Sequence, residues 1–213
     1  TCTKTPDGGY ALTQETQAEL SNWLDTNLTT AYLALERDHP EMPWLAAKSF
    51  VAGAVNDEGD YTIPLSFEVG TGPQEDDTYT CTVTLAYCPF TLVGVPTEVE
   101  NTEPFTTAVR TATAAISAGS TRYATVKAIH DYLCNHITYD KNSASPLNQT
   151  AYSALVNEKT VCAGYGTAFK LLCDEFSIPC VYVSGEAGSY TAPEKHGWNY
   201  VQMDDCRWYA VDV

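Results

Sequence analysis

The C-terminal third of the chain most tightly limits what it can fold into, because one helical pattern closed by proline runs straight into strand patterns. Tyr165, Phe169, Leu172 and Phe176 recur at three- and four-residue steps, and Ile178-Pro179 stops the helix they predict. Strands are expected from Val181 to Ser184, His196 to Met203 and Arg207 to Val213. A helix with one apolar face must bury it against another layer, and the sheet is the layer at hand. The expected class is α+β, with this helix packed on an antiparallel sheet.

The last two strands can be tested for register by parity. His196 and Asp212 have an even sum, so they share a face only if the connecting loop has odd length. A three-residue loop at Asp204-Asp205-Cys206 meets that demand, pairing Met203 with Arg207 and Asp212 with Trp198. Asp212 then lies diagonally from His196, within reach of long side chains. Asn199 has the opposite parity to His196 and ranks below Asp212 as its partner.

Upstream, residues 104–116 and 121–137 read as two helices. In the second, Tyr123, Val126, Ile129, Leu133 and Ile137 form the apolar face, Lys127, Asp131 and Asn135 face water, and Cys134 is expected in the core. His130 and His136 are expected to make structural hydrogen bonds. A further helix covers 151–157. Leu28, Ala31, Tyr32 and Leu35 predict a helix ended by Asp38-His39-Pro40, after a short helix and a loosely held terminus. Strands near 46–55, 60–69 and 78–88 suggest an antiparallel meander. The expected organisation is an N-terminal helix-plus-meander extension over 1–103, packed on a core over 104–213.

Charge removes two classes of partner. Eleven basic against 27 acidic residues give a net charge of -16, which repels nucleic acid and anionic lipid surfaces alike. No apolar run approaches the roughly 20 residues of a membrane span, and no export signal opens the chain. Eight cysteines without a CxxC pair give no zinc or thioredoxin-like signature, so neither metal nor cofactor is expected. Cys81 and Cys88 lie on one expected strand, ~23 Å apart if it is unbroken, and so do not pair. Cys173 and Cys180 flank a turn and could pair or stay reduced, while Cys2 and Cys206 are expected to be exposed.

Cys162 stands at or just before the N-terminus of the Tyr165–Phe176 helix. A thiol in such a position is activated, because the macrodipole and unpaired backbone N–H groups favour the thiolate and can hold an oxyanion. Gly164 and Gly166 leave room for a substrate to approach. Position alone does not separate a nucleophile from a disulfide half or a core thiol. A nucleophile also needs a base and an orienting acid, and His196 with Asp212 supply that pair.

The segments His130-Asp131-Tyr132-Leu133, Ile137-Thr138-Tyr139-Asp140, Val161-Cys162-Ala163-Gly164-Tyr165, His196-Gly197-Trp198-Asn199-Tyr200 and Trp208-Tyr209-Ala210-Val211-Asp212-Val213 resemble the transglutaminase-like superfamily, notably its secreted or surface bacterial members. The resemblance covers about 121–213, and Asp38-His39-Pro40-Glu41 with Trp44 resembles the region often found ahead of that core. It implies a papain-like core with a triad of Cys162, His196 and Asp212, and an oxyanion contact from Tyr139. Gly164, Tyr165 and Trp198 are the expected substrate contacts. It also implies a peptide or protein substrate and an extracellular or cell-surface setting.

Two departures from the family stand out. The hairpin turn is one residue longer than usual, and the family normally continues past the aspartate, so a further C-terminal segment or a second chain is expected to complete the sheet. Three functions follow. The leading one is cysteine-dependent acyl transfer on amides, with hydrolysis favoured over crosslinking because the calcium sites of animal crosslinking enzymes are not evident. The others are a non-catalytic surface-binding module and a disulfide-stabilised structural domain. Trp198, Tyr200, Trp208 and Tyr209 are expected to serve packing before ligand binding.

Overall fold

The first residues pair at once. Strands β1 (Cys2–Lys4) and β2 (Tyr10–Leu12) form a hairpin with Cys2 opposite Leu12. Cys2 also exchanges both backbone hydrogen bonds with Tyr79, at 2.9 and 2.8 Å, and is fully buried. The terminus is therefore anchored, not loose, and Cys2 is not exposed. Its partner lies 77 residues away, beyond the reach of local pattern.

This computed structural model describes residues 1–47, 49–74, 76–189 and 191–213, so the expected strand at Lys48 and loop at Tyr190 lie partly outside the described residues. The chain divides into two compact units, residues 1–33 with 49–93, and residues 34–48 with 94–213. Helix α1 (Gln14–Asp38) passes through the boundary and is a single long helix where a short one and a second were expected.

In the first unit α1 buries Leu24, Leu28 and Tyr32, four residues apart, so one narrow stripe is apolar. Tyr32 stacks on Phe50 at 4.4 Å, and Phe50 meets Phe90 edge-on at 4.9 Å. The strands are β3 (Ser49–Ala52), β4 (Ala54–Val55), β5 (Tyr61–Thr62), β6 (Leu65–Val69), β7 (Cys81–Leu85) and β8 (Phe90–Val93). They pair β3 with β8, β4 with β5 and β6 with β7, so three antiparallel ladders replace the expected meander. Gly53 explains part of the difference. Its φ is +120° and a Cβ there would lie 2.7 Å from the Thr62 carbonyl oxygen, so it breaks the first strand in two.

The second unit contains α2 (Glu103–Ala115), α3 (Arg122–His136), β9 (Thr138–Tyr139), α4 (Ala151–Val156), β10 (Lys159–Thr160), α5 (Cys162–Glu175), β11 (Cys180–Ser189), β12 (Ala192–Gln202) and β13 (Trp208–Val211). Phe105, Ile129, Leu133, Leu147, Phe169, Leu172 and Val201 form its core. Helix α5 is buried from Gly164 to Cys173, which makes it the central element. The sheet order is β11-β12-β13, all antiparallel. β11 and β12 run together as far as Ser189 and Ala192, so much of the segment expected as a loop is ladder. Tyr123 and Cys134 are exposed, against expectation, because the buried stripe of α3 is narrower than the apolar pattern suggests. Among the described residues no helix is long and apolar enough to cross a membrane.

Candidate active site

Cys162 is the first residue of α5. Val161, in an extended conformation, caps the helix without a side-chain hydrogen bond of its own. Helix α5 approaches the sheet closely through glycines. A Cβ on Gly166 would lie 2.7 Å from the Tyr182 ring, and one on Gly197 would lie 2.2 Å from the Tyr182 hydroxyl oxygen. Asn199, fully buried, donates from Nδ2 to the Gly166 carbonyl at 3.0 Å. Asn199 therefore fastens α5 to β12 and takes no part in orienting His196.

Gly164 also serves packing. A Cβ there would lie 1.8 Å from Thr160 Oγ1, and Thr160 is fully buried, donating to the Asn148 carbonyl. Tyr165 is buried and gives its hydroxyl proton to the Ile137 carbonyl at 2.6 Å. Gly164 and Tyr165, both expected to contact substrate, are buried here. Trp198 is half-buried and keeps some exposed surface.

The pairing of β9 with β10 is parallel and sets Tyr139 beside Thr160. That brings the Tyr139 hydroxyl to Cys162, whose backbone N–H and thiol both act on it. Partial burial, followed by the Cys162 thiol, pushes the Tyr139 hydroxyl above its usual pKa, so it stays a proton donor. No sequence period announces β9 or β10, since each has two residues.

The β12–β13 ladder pairs Asn199 with Val211 and Gln202 with Trp208, which is the even-sum register. The loop is three residues, with Cys206 in the left-handed region at φ 63° and Met203 N–H bonded to the Arg207 carbonyl at 2.9 Å. Arg122 fastens this corner to α3 by donating to the Gln202 carbonyl at 2.7 Å. Asp212 follows β13, and its carboxylate oxygens lie 3.0 and 2.9 Å from His196 Nε2. A carboxylate only accepts, so Nε2 carries the proton and Nδ1 is left as the basic nitrogen. His196 stacks with Trp198 at 6.0 Å, and the Trp198 ring covers Gly185, the ladder partner of His196.

Tyr139, His196, Asp212 and Glu194 line a cavity of about 300 Å³. Tyr139 thus lies near enough to Cys162 to feel its thiol and borders the same space as His196. Cys162 and His196 are not hydrogen-bonded to each other. Glu194, which also acts on the Tyr139 hydroxyl, was not singled out by sequence reasoning. Its signal was its place two residues before His196, on the same strand face.

The remaining candidates have ordinary roles. His130 bonds Asp131 at 3.1 Å and His136 bonds the Tyr132 carbonyl at 2.8 Å. Tyr200, Trp208 and Tyr209 are exposed, against the packing expected of them, and among the described residues no His, Cys, Asp and Glu group has the makings of a metal site.

Comparison with known proteins agrees on the family. Residues 110–213 match the transglutaminase-like superfamily. Kyphoscoliosis peptidase of Mus musculus is 33% identical over 98 residues, covering 41% of this chain and 15% of the relative. The Homo sapiens protein of that name is 32% identical over the same length, so the match spans less than a fifth of either curated relative. Among solved structures, a TGase aligns with TM-score 0.42 and 22% identity, covering 56% of this chain and 33% of that one. The periplasmic domain of TgpA from Pseudomonas aeruginosa aligns with TM-score 0.40 and 19% identity, covering 50% of this chain and 43% of that one. Residues 110–213, with their mixed helix and sheet core, match the transglutaminase-like superfamily.

Proposed function

We propose that the chain is a cysteine-dependent acyl-transfer enzyme acting on peptide or protein amides, with Cys162 as nucleophile, His196 as acid and base, and Asp212 as the residue that orients the imidazole. The observation that carries this reading is the double contact of His196 Nε2 with the Asp212 carboxylate, which leaves Nδ1 basic beside a cavity shared with Tyr139. Cys162 Sγ attacks the carbonyl carbon, and its proton goes to His196 Nδ1. The oxyanion is held by the Cys162 backbone N–H and the Tyr139 hydroxyl, which lie close to each other at the start of α5. His196 then returns the proton to the leaving amine, and a thioester remains. Water attacking the thioester completes hydrolysis, the outcome we favour over transfer to an amine. An extracellular or surface setting is part of the same proposal, supported by the net charge of -16.

The second reading is a binding module that keeps the fold without catalysis. It is favoured by the missing hydrogen bond between Cys162 and His196, although catalytic hydrogen bonds are often loose before substrate arrives. Alkylation of each cysteine by iodoacetamide, followed from about pH 4 to 9 and mapped by peptide mass spectrometry, separates the two. Fast reaction of Cys162 below neutral pH, lost in His196→Ala, is the expected result. A Cys162 that is slow, or indifferent to His196, sinks the catalytic reading.

A further inference from the structure

Cysteine placement outside the site carries a separate conclusion. All eight cysteines are thiols in this structure, yet four of them meet in pairs. In the first unit, Cys2 lies opposite Tyr79, and Cys81, two residues further on, returns to the face that Cys2 occupies. The Cys2 thiol donates to the Tyr79 carbonyl at 3.6 Å, and the Cys81 thiol is near enough to act on it. In the second unit the chain leaves α5, turns at Ser177 with φ 53°, and closes an N–H bond from Ile178 to the Cys173 carbonyl at 2.9 Å. That turn brings Cys180, the first residue of β11, back towards Cys173; both are buried, and each thiol acts on the other.

The other four cysteines meet no second thiol among the described residues. Cys162 faces Tyr139, Cys134 lies against His130, Cys88 donates to the Pro89 carbonyl, and Cys206 occupies the exposed β12–β13 turn. Two thiols buried together use their hydrogen-bonding capacity poorly, whereas a disulfide buries well and removes chain entropy from the unfolded state.

We propose that Cys2 with Cys81, and Cys173 with Cys180, are disulfide sites, closed by exchange with a low-molecular-weight disulfide such as oxidised glutathione. In each closure two S–H bonds are replaced by one S–S bond. The two electrons and two protons pass to the donor, whose own S–S bond becomes two thiols. The first bond ties the N-terminal strand to the edge of β7. The second ties the end of α5, whose first residue is Cys162, to the start of β11, whose partner strand carries His196. Burial at Cys2, and at Cys173 the Cys180 thiol followed by burial, push both thiols above their ordinary pKa, so both bonds close while the chain folds and form slowly once it has folded.

The test does not depend on catalysis. The reduced, unfolded chain is refolded with a couple of oxidised and reduced glutathione, its recovery checked by circular dichroism, then quenched in acid and alkylated with N-ethylmaleimide in denaturant. Digestion without reductant should give two cross-linked peptide pairs, Cys2–Cys81 and Cys173–Cys180, with alkylation lost at those four cysteines and kept at Cys88, Cys134, Cys162 and Cys206. Full alkylation of both members of a pair, or cross-links to other partners, overturns the proposal for that pair. In Cys81→Ala, Cys2 should become alkylated while the Cys173–Cys180 link persists, and a Cys2 that finds a new partner counts against the site.

Discussion

His196 holds Asp212 through a single ring nitrogen, Nε2, which lies 3.0 and 2.9 Å from the two carboxylate oxygens. Extending the β12–β13 ladder by one residue sets Asp212 opposite Trp198, so the contact runs along the diagonal of that ladder. The pair sits at the surface, with the Asp212 side chain 63% exposed, and its worth to folding is small. Its worth to chemistry is the tautomer it imposes. Asp212→Asn should lower the acyl-transfer rate by about 10²- to 10⁴-fold while changing stability by less than about 1 kcal/mol. Amide-hydrolysis kinetics beside a denaturant titration would check both halves, and equal losses in the two would mark the pair as structural.

How far this site was legible depends on the range of each signal. The register of β12 and β13 followed from parity alone, because a half-buried ladder allows one face assignment and the Asp204-Asp205-Cys206 loop has odd length. The neighbourhood of Tyr139 was legible only through the family resemblance, since β9 and β10 are too short to show a period and meet only in the fold. Gly164 and Gly166 misled in a specific way. Glycine in sequence suggests open space, but here Thr160 and Tyr182 fill the space that a Cβ would need. The same limit hid the burial of Cys2 and the pairing of β3 with β8, both set by distant partners.

Tyr139 offers a test of oxyanion stabilisation with little structural cost, because its side chain is 57% exposed. Tyr139→Phe should slow the reaction by up to about 10²- to 10³-fold with KM nearly unchanged. Burial and the nearby thiol raise its pKa above the usual 10.0, which favours the protonated, neutral form. The donor is therefore present below 10.0 and is lost only as pH rises through the higher folded value. The ratio of wild-type to Tyr139→Phe rates should stay flat through neutral and mildly alkaline pH, and a ratio that falls before pH 10.0 would remove Tyr139 from the oxyanion role.

Gly164→Ala tests whether close packing beneath Cys162 matters. The added Cβ would collide with Thr160, whose hydroxyl is committed to Asn148 in the interior. Overpacking of this kind costs about 1 to 3 kcal/mol. Since the displaced backbone lies two residues from the nucleophile, activity measured well below the unfolding transition should fall as well. A variant of unchanged stability would mean that Thr160 yields without cost.

Lys170 is the one lysine buried in α5, its side chain only 9% exposed, and its ammonium is held by Asp174 one turn later at 2.8 Å. The ammonium is buried in α5, so the pair trades its desolvation against one charge-assisted hydrogen bond. The two partners should then respond unequally to removal. Asp174→Ala leaves a buried cation with no carboxylate and should cost about 1 to 3 kcal/mol, the penalty of an unsatisfied polar group. Lys170→Met removes the cation, keeps the length of the side chain and leaves Asp174, 42% exposed, free to hydrate, so it should be close to neutral or stabilising. Urea titrations of the two single variants and the double variant give the coupling directly. Equal costs for the two single changes would show that packing of the lysine stem, and not the burial of its charge, decides the stability of this turn of α5.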